Sequence, residues 1–196
     1  MKSRHYIAVT GSIGVGKTTT VNGLVAALDD CIGFYEVRDK YLQRFYNDQN
    51  KFAFLNQLAY SLQYLEQASE IAALSSNIAQ DRSIYDTHQV FSEWRHSIGL
   101  IDDDEFELLA RVFRSTDRIV RPTLVVLLET SVDLAMARIA ERQLPTEMGL
   151  TSEFLADLSE QYSSWFSKFD LCQKIKLRSD NESPEHIVRA ILQTVA

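Results

Sequence analysis

Short apolar runs alternate along the chain with longer stretches in which apolar residues recur at helical spacing. This alternation is typical of β–α–β units around a parallel sheet with both faces covered. The pattern predicts five parallel strands, at Tyr6–Thr10, Gly33–Glu36, Asn77–Asp81, Leu124–Leu128 and Lys174–Leu177. It predicts helices at Lys17–Ala27, Lys40–Tyr46, Phe52–Leu74, around Thr87–Ser97, Asp103–Ser115, Val132–Glu141, Ser152–Phe169 and Pro184–Val195. The predicted fold class is α/β, with three layers and helices flanking a five-stranded parallel sheet.

Two helical segments carry further expectations. The stretch Phe52–Leu74 holds good helix formers without Gly or Pro and is apolar around much of its circumference, which predicts a central, largely buried helix. The acidic run Asp102–Asp104 resembles a cation cluster, but it directly precedes an apolar-periodic stretch. Capping and the helix dipole favour such residues at a helix N-terminus, and we therefore predict a cap here.

Composition is that of an ordinary globular protein of one domain, expected over residues 1–196, with 45% hydrophobic residues. The net charge of −7 makes nucleic acid and anionic membranes poor candidate partners. No signal peptide pattern and no apolar run of about 20 residues is seen, and the two cysteines, Cys31 and Cys172, form no C-x-x-C pair. A cytoplasmic location with packed, reduced thiols is expected.

The segment Gly11–Thr18, GSIGVGKT, matches the pattern G-x-x-x-x-G-K-[ST] between a predicted strand and a predicted helix. In this pattern glycines turn backbone N–H groups toward the phosphates, the lysine reaches the β- and γ-phosphates, and the following hydroxyl ligates Mg²⁺. The residues expected to bind ATP here are Gly11, Ser12, Gly14, Val15, Gly16, Lys17, Thr18 and Thr19. The loop by itself does not distinguish a kinase from an ATPase or a GTPase.

Phosphoryl transfer to a hydroxyl also needs a carboxylate near the acceptor proton, a carboxylate for the metal and arginines for the migrating charge. Glu36 and the pair Asp81–Arg82 lie at predicted carboxyl ends of strands, where open α/β sheets bind ligands. Arg138 and Arg142 lie one helical turn apart and share a helix face. Each feature alone also has an ordinary structural reading as a helix cap or a solvated face.

The order and spacing of these residues resemble the deoxynucleoside kinase family, which includes deoxycytidine, deoxyguanosine, deoxyadenosine and mitochondrial thymidine kinases. Glu36 is followed five positions on by an aromatic, Tyr41, and Tyr46 precedes Gln57 by eleven positions. The E/D-R-S-x-Y motif is matched by DRSIY, residues 81–85, and a lid with arginines and a glutamate by RIAERQLPTEMG. The resemblance covers nearly the whole chain, with the lid at about residues 138–151.

The resemblance implies ATP-dependent phosphorylation of a 2′-deoxynucleoside at its 5′-hydroxyl with Mg²⁺. Lys17 then binds the transferred phosphate, and Glu36 resembles the base that receives the hydroxyl proton. Asp81 resembles the acidic residue near Mg²⁺, and Arg82 the arginine at the reacting 5′ end. The family also implies a homodimer formed through long helices.

Substrate contacts follow from the same resemblance. Tyr46 and Glu147 match the pair that binds the sugar 3′-hydroxyl. Gln57 matches the amide that reads the base edge, and Phe91 the aromatic that stacks on the base. In the lid, Arg138 and Arg142 match arginines that close over the phosphates. Singly, Tyr46 and Phe91 would more often be core residues, and a buried Gln57 could satisfy a neighbouring backbone group.

The sequence departs from the family pattern in three places. Leu144 stands two positions after Arg142, where another lid arginine is usual, which implies a weaker or displaced phosphate clamp. Tyr64 and Thr87 stand where the deoxycytidine and purine branches place an arginine and an acid beside the base, with Asp86 adjacent as a partial substitute. Asn56 stands where several members have Phe. The loss of the Arg–acid pair favours pyrimidines.

Two other functions are compatible with parts of this sequence pattern. A nucleoside monophosphate kinase of the thymidylate kinase type also has this loop, a D-R motif and a lid, but it grips the acceptor phosphate with an Arg-x-Pro-Gly-Gly segment. Here that region reads YEVRDKY, in which the Glu36 carboxylate would repel an anionic acceptor and Arg38 would attract one. A non-catalytic nucleotide-binding homologue is the second alternative. Leu144 in the lid favours it weakly, whereas it is opposed by the joint retention of Lys17, Glu36, Asp81 and Arg82.

Overall fold

The structure is a computed structural model and describes residues 4–38, 40–147, 149–180 and 182–195. Its strands are β1 Tyr6–Thr10, β2 Cys31–Phe34, β3 Asn77–Asp81, β4 Leu124–Glu129 and β5 Gln173–Arg178. Its helices are α1 Lys17–Ala27, α2 Lys40–Asn47, α3 Gln49–Ala73, α4 Ile84–Asp86, α5 Glu93–Ser97, α6 Asp103–Asp117, α7 Val132–Arg142, α8 Ser152–Lys168 and α9 Pro184–Val195. A π-helical segment, Thr87–Ser92, joins α4 to α5, and a 3₁₀ turn lies at Pro145–Glu147.

The strands form one sheet in the order β2-β3-β1-β4-β5, with every pairing parallel. All five residues of β1 are buried, as expected for a central parallel strand with both faces covered. Helices α1 and α9 pack on the face that carries Ile7 and Val9, and α8 packs against β4. The predicted α/β class, with helices flanking a five-stranded parallel sheet, is confirmed.

The chain divides into two compact units. The sheet unit comprises Met1–Tyr35, Ser75–Arg82 and Pro122–Ala196; the helical unit comprises Glu36–Leu74 and Ser83–Arg121. The single domain expected over residues 1–196 stays a prediction, because this division describes compactness rather than independent folding. Within the described residues, no helix is long and apolar enough to cross a membrane.

The second strand lies two residues earlier than its predicted range. It is an edge strand in which Cys31 pairs with Asn77 and Phe34 with Gln80, and the chain leaves the sheet after Phe34. Only Phe34 of its residues is buried, so no strong apolar run marks the strand in the sequence. Glu36 therefore lies two residues beyond the strand rather than at its last position, which corrects the predicted boundary.

Helix α3 corrects a second expectation, since it is buried along one face only. That face is formed by Ala53, Asn56, Gln57, Ser61, Tyr64, Ala68 and Ile71. Two leucines of the other face, Leu55 and Leu62, are 38% and 43% exposed. The helix starts at Gln49 rather than Phe52 because the Asp48 side chain accepts a hydrogen bond from Lys51 N at 3.2 Å and caps it. Apolar composition therefore misled the burial prediction, because Asn56, Gln57 and Ser61 face inward while the two leucines face outward.

The acidic run before α6 is a helix cap, as predicted. The Asp102 carboxylate accepts a hydrogen bond from Glu105 N at 2.8 Å, and the Glu105 carboxylate accepts one from Asp102 N at 3.2 Å. These reciprocal bonds are a capping box, which satisfies N–H groups that the helix leaves without intrahelical partners.

In the helical unit, the His88 ring stacks between Phe106 and Phe113, with ring centroids 5.3 Å and 4.7 Å away. Its side chain is buried, and burial, together with the nearby charge of Arg114, lowers the pKa of His88 to about 4. The folded protein therefore binds fewer protons than the unfolded chain between about pH 4 and 6.5. Stability contributed by neutral His88 is present above about pH 6.5 and is lost as the pH falls through this window.

We expect the free energy of unfolding to fall by about 2 kcal/mol between pH 8 and pH 5 through His88 alone. Urea unfolding of the wild type and of His88→Phe at both pH values measures the contribution of His88 to the free energy of unfolding. The contributions of the other titrating groups cancel when the two proteins are compared. The phenylalanine keeps an aromatic ring between Phe106 and Phe113 without a titrating nitrogen. A difference between the two proteins that stays constant with pH would contradict the expectation.

Candidate active site

The loop between β1 and α1 has the geometry of a phosphate cradle. Gly11 and Gly14 have φ of 137° and 82°, in the left-handed region that favours glycine. A Cβ at Gly11 would lie 2.3 Å from the Leu128 carbonyl oxygen, and one at Gly14 would lie 2.8 Å from the Ala135 carbonyl oxygen. The loop therefore requires glycine at both positions, and α1 begins directly after it at Lys17 with its N–H groups toward the loop.

Side chains of the loop and of α1 add a cation and hydroxyls. Lys17 Nζ donates a hydrogen bond to the Ser12 carbonyl oxygen at 2.8 Å, which holds the ammonium on the loop. Ser12 and Val15 are buried, whereas Thr18 and Thr19 are exposed at the start of α1. A positive helix end, inward N–H groups and a lysine together suit a polyanionic ligand.

The residues predicted to hold Mg²⁺ are in contact. Thr18 Oγ1 donates a hydrogen bond to Asp81 Oδ2 at 2.5 Å. A hydroxyl and a carboxylate oxygen are ligands that Mg²⁺ prefers, and Mg²⁺ in kinase sites takes one or two protein oxygens with phosphates and water. In the described part of the chain no cluster of three His, Cys, Asp or Glu side chains forms a separate metal site. The donor set therefore fits a phosphate-bound Mg²⁺.

Arg82, directly after β3, is held in an uncommon conformation. Its φ is 64°, in the left-handed region, although it is not glycine. Its backbone N–H donates to the Val9 carbonyl oxygen at 2.8 Å, which continues the strand pairing up to the turn, and its side chain is buried. Strain of this kind is retained where surrounding structure fixes it, commonly at functional sites.

The arginines of α7 contact protein groups around the loop. Arg138 donates from Nη1 to the Gly14 carbonyl oxygen and to Ser179 Oγ, and from Nη2 to the Ser179 carbonyl oxygen, each at 3.1 Å. Ser179 Oγ in turn donates to the Val15 carbonyl oxygen at 2.9 Å. A cavity of about 310 Å³ beside this network is lined by residues of the loop, α1, α7 and the segment after β5.

Arg142 and Glu147 form an ion pair in the lid, with Arg142 Nη2 3.2 Å from Glu147 Oε2. Glu147 is buried on the 3₁₀ turn, and Leu144 before it is half-buried. Of the predicted lid, residues 138–151, Met148 lies outside the described residues. The structure thus brings Arg142 and Glu147 together, whereas the predicted pairing of Glu147 with Tyr46 stays a prediction.

In the helical unit, Glu36 is half-buried, and Tyr64 OH lies 3.5 Å from Glu36 Oε2 as a hydrogen-bond donor. Tyr64 is 1% exposed on the buried face of α3. Tyr46 is half-buried at the end of α2 and contacts Phe45, with ring centroids 5.6 Å apart. Tyr64, one of the departures from the family pattern, thus contacts Glu36, the residue predicted to act as the general base.

Gln57, the residue predicted to bind the edge of the nucleobase, lies in a buried polar network. Gln57 is 2% exposed, and its Nε2 donates to the Thr87 carbonyl oxygen at 2.6 Å. Its Oε1 accepts a hydrogen bond from Arg95 Nη1 at 2.7 Å, and the same Nη1 donates to Asn56 Oδ1 at 2.9 Å. Phe91, half-buried on the π-helical segment, has its ring centroid 5.9 Å from the Arg95 guanidinium carbon. Gln57 and Phe91 are therefore neighbours of Arg95, and Thr87 is linked to it through Gln57.

Sequence reasoning missed Arg95. Two signals pointed to it: Asn56 replaces an apolar residue beside Gln57, and Arg95 follows Phe91 by four positions, the spacing of one helix face. One carboxylate oxygen of Asp86 is engaged elsewhere. Its Oδ1 accepts from Ser83 N at 2.7 Å and from Ser83 Oγ at 3.0 Å, in a capping box at the start of α4. It therefore does not substitute for the missing acid through this oxygen.

A parallel α/β sheet, a glycine loop leading into a helix, and a hydroxyl–carboxylate pair beside that loop define a phosphotransferase of the P-loop class. The family model for deoxynucleoside kinase matches residues 7–196, and the chain belongs to that family. Its reaction is therefore phosphorylation of a nucleoside at the 5′-hydroxyl. A nucleoside monophosphate kinase is not favoured.

Curated relatives agree with the family. A deoxyadenosine/deoxycytidine kinase of Bacillus subtilis (strain 168) is 26% identical over 211 aligned positions, which cover 100% of this chain and 97% of the relative. A deoxyadenosine kinase of Dictyostelium discoideum is 32% identical over 159 positions, covering 80% of this chain and 64% of the relative. The first match extends over essentially the full length of both proteins.

Solved structures of deoxyadenosine kinase from M. mycoides have the same fold. The structure with bound dATP matches with a TM-score of 0.82 at 19% identity, covering 98% of this chain and 99% of that chain. The structure with the products dCMP and dCDP matches with the same TM-score and identity, over 97% and 98%. At this identity the likeness establishes the fold.

Proposed function

We propose that this kinase transfers the γ-phosphoryl group of ATP to the 5′-hydroxyl of 2′-deoxynucleosides that carry adenine or cytosine. The observation that carries the donor half is the contact between Thr18 and Asp81 beside the glycine loop. Family membership supports the nucleoside acceptor. The relatives named above act, by their names, on deoxyadenosine and deoxycytidine.

Adenine and cytosine share an edge that suits Gln57. Both present an exocyclic amino donor beside a ring nitrogen acceptor, and a glutamine amide offers the complementary acceptor and donor. Phe91, half-buried four residues before Arg95, would stack on the base. This proposal replaces the pyrimidine preference expected from the sequence. It distinguishes bases by the order of hydrogen-bond donor and acceptor on their edge, whereas a pyrimidine preference distinguishes them by ring size.

In the donor half, loop N–H groups and Lys17 hold the phosphates, while Thr18 and Asp81 would ligate Mg²⁺. Mg²⁺, when bound, neutralises charge on the β- and γ-phosphates. Arg82 stabilises charge at the reacting 5′ end, and its buried, left-handed position limits its freedom. Arg138 supports the loop through Gly14, so we assign Arg142 rather than Arg138 to the phosphates on lid closure.

In the acceptor half, Glu36 accepts the proton of the 5′-hydroxyl as its oxygen attacks the γ-phosphorus. Tyr64 holds Glu36 Oε2 and thereby orients the carboxylate. Tyr46 and Glu147 bind the sugar 3′-hydroxyl, for which Glu147 must share its carboxylate with Arg142. A carboxylate oxygen accepts more than one hydrogen bond, so both contacts are compatible.

The exposed face of α3 supports the homodimer expected from the sequence. Leu55 and Leu62 of this face are 38% and 43% exposed. Together with Val37, which precedes α2 and is 65% exposed, they line an open cavity of about 510 Å³ in the helical unit. Apolar surface of this kind on a soluble protein marks an interaction site, and we propose a second copy of the chain as its occupant. Sedimentation velocity measures the assembly state.

We propose a reducing, cytoplasmic location for the protein. Cys31 and Cys172 are free thiols, and burial raises the pKa of each to about 11. Thiols with so little thiolate at neutral pH are inert packing groups.

The test of the proposed function is purified protein with Mg-ATP and a panel of deoxynucleosides and deoxynucleoside monophosphates. We expect deoxyadenosine and deoxycytidine to be converted to monophosphates, and the monophosphates to be left unchanged. Thymidine, whose base edge has the opposite polarity, should be at least about tenfold poorer in kcat/KM. Omission of Mg²⁺ is the matched control. Turnover of monophosphates without turnover of nucleosides would overturn the proposal.

A further inference from the structure

Arg95 is a buried cation in the helical unit. Its side chain is 8% exposed, and its guanidinium carbon lies 4.1 Å from the ring centroid of Phe45. A buried arginine is costly unless its charge and its N–H groups are met by partners. Here the Phe45 ring faces the cation, and two amide oxygens accept from Nη1. The arrangement is thus a specific polar network rather than a solvated surface charge.

Both hydrogens of Arg95 Nη1 have a defined acceptor. One bond goes to Gln57 Oε1 at 2.7 Å and the other to Asn56 Oδ1 at 2.9 Å. A guanidinium nitrogen of this type carries two hydrogens, so the two amide oxygens fix its orientation. Asn56 therefore serves to hold the arginine, which gives a physical reason for an amide at a position that is 0% exposed.

These contacts lock the Gln57 amide in one orientation. Its Oε1 faces a donor-only group, Arg95, and its Nε2 faces an acceptor-only group, the Thr87 carbonyl oxygen at 2.6 Å. A half-turn of the amide would replace both hydrogen bonds with a donor–donor and an acceptor–acceptor contact. In a buried site such mismatches carry the full cost of desolvation, so the reversed amide is excluded.

We propose that Arg95 is a positioning residue that sets base specificity by fixing the polarity of the Gln57 amide. The proposal rests on the proposed function, in which Gln57 reads the base edge. After the bonds to Arg95 and Thr87, Gln57 retains one oxygen lone pair and one N–H hydrogen. A locked amide accepts an amino group and donates to a ring nitrogen, whereas an amide free to turn would also accept the reversed edge. Arg95 thus selects adenine and cytosine against hypoxanthine and uracil.

Deoxycytidine with deoxyuridine, and deoxyadenosine with deoxyinosine, are the matched probes, because each pair differs at the edge that Gln57 reads. The wild type is expected to favour the amino-bearing member by at least about tenfold in kcat/KM at saturating Mg-ATP. Arg95→Lys retains a donor-only cation and should retain the preference. Arg95→Gln offers either a donor or an acceptor to Gln57 Oε1 and leaves only the Thr87 carbonyl oxygen to orient the amide, so the ratio should fall at least about threefold. The change should lie in the KM for the nucleoside, with the KM for ATP unchanged.

A merely structural role predicts a different result, since both variants would then lower activity on all four nucleosides equally. An unchanged ratio in folded Arg95→Gln, or a wild-type ratio near one, would overturn the proposal. If Arg95→Gln does not fold, Asn56→Leu releases one of the two bonds of Nη1, and a ratio identical to that of the wild type would overturn it. Gln57→Leu distinguishes failure of the proposed base recognition by Gln57 from failure of the proposed role of Arg95. If it leaves the wild-type ratio unchanged, the proposed base reading by Gln57 is wrong, irrespective of Arg95.

Discussion

Replacing Glu36 with glutamine is expected to lower kcat by about 10²–10⁴-fold while leaving the KM for ATP within about twofold. The amide has the size of the carboxylate and still accepts the hydrogen bond from Tyr64, but it cannot take the proton of the 5′-hydroxyl. In the proposed function the glycine loop and Lys17 bind ATP, and the substitution alters neither. Steady-state kinetics with deoxycytidine or deoxyadenosine as acceptor measures both parameters.

The matched control for this prediction is Glu70→Gln, which makes the same chemical change at an exposed position of α3. It should leave both kcat and KM unchanged. A Glu36→Gln enzyme that retained the wild-type kcat would remove Glu36 as the base. A rise in the KM for the nucleoside without loss of kcat would instead assign Glu36 to substrate binding.

Strands β1 and β4 were predictable because they are nearly continuous apolar runs, and β3 because its short apolar segment ends at the Asp81–Arg82 motif. The ranges Tyr6–Thr10 and Asn77–Asp81 agree with the structure to the residue, since β1 and β3 are buried and end at polar motifs. The edge strand β2 was misplaced by two residues because its positions are half-exposed. The same property explains the error at Glu36: an edge strand carries weak apolar patterning, so its end is not marked in the sequence.

The phosphate loop was predictable for a different reason, which is that its function depends on backbone conformations that glycine alone tolerates at low cost. The network around Gln57 was not predictable in this way. It joins α3, the π-helical segment and α5, because Thr87 and Arg95 lie 30 and 38 positions after Gln57. Local spacing cannot report such contacts. The buried face of α3 combines Asn56, Gln57 and Ser61 with apolar residues, so apolar composition alone does not reveal which side of this helix is buried.

Replacing Gly11 with alanine is expected to cost about 3 kcal/mol or more in the free energy of unfolding and to weaken ATP binding at least about tenfold. The new Cβ would lie 2.3 Å from the carbonyl oxygen of Leu128, a β4 residue that is held by its pairing with Leu177 of β5. The backbone φ of 137° adds strain for any L-residue with a Cβ. Thermal unfolding, with a fall in Tm of about 6–12 °C for this magnitude, and titration with Mg-ATP measure the two effects.

Gly99→Ala is the matched control, because Gly99 also has a positive φ, 74°, but an added Cβ there meets nothing within 4 Å. It carries only the left-handed strain of about 1–2 kcal/mol and should leave ATP binding unchanged. The difference in the free energy of unfolding between the two variants therefore measures the cost of the contact with β4 separately from the cost of a positive φ. Equal losses of stability in both, with ATP affinity intact in Gly11→Ala, would mean that the loop relaxes around the methyl group, and the tight backbone cradle inferred at Gly11 would be wrong.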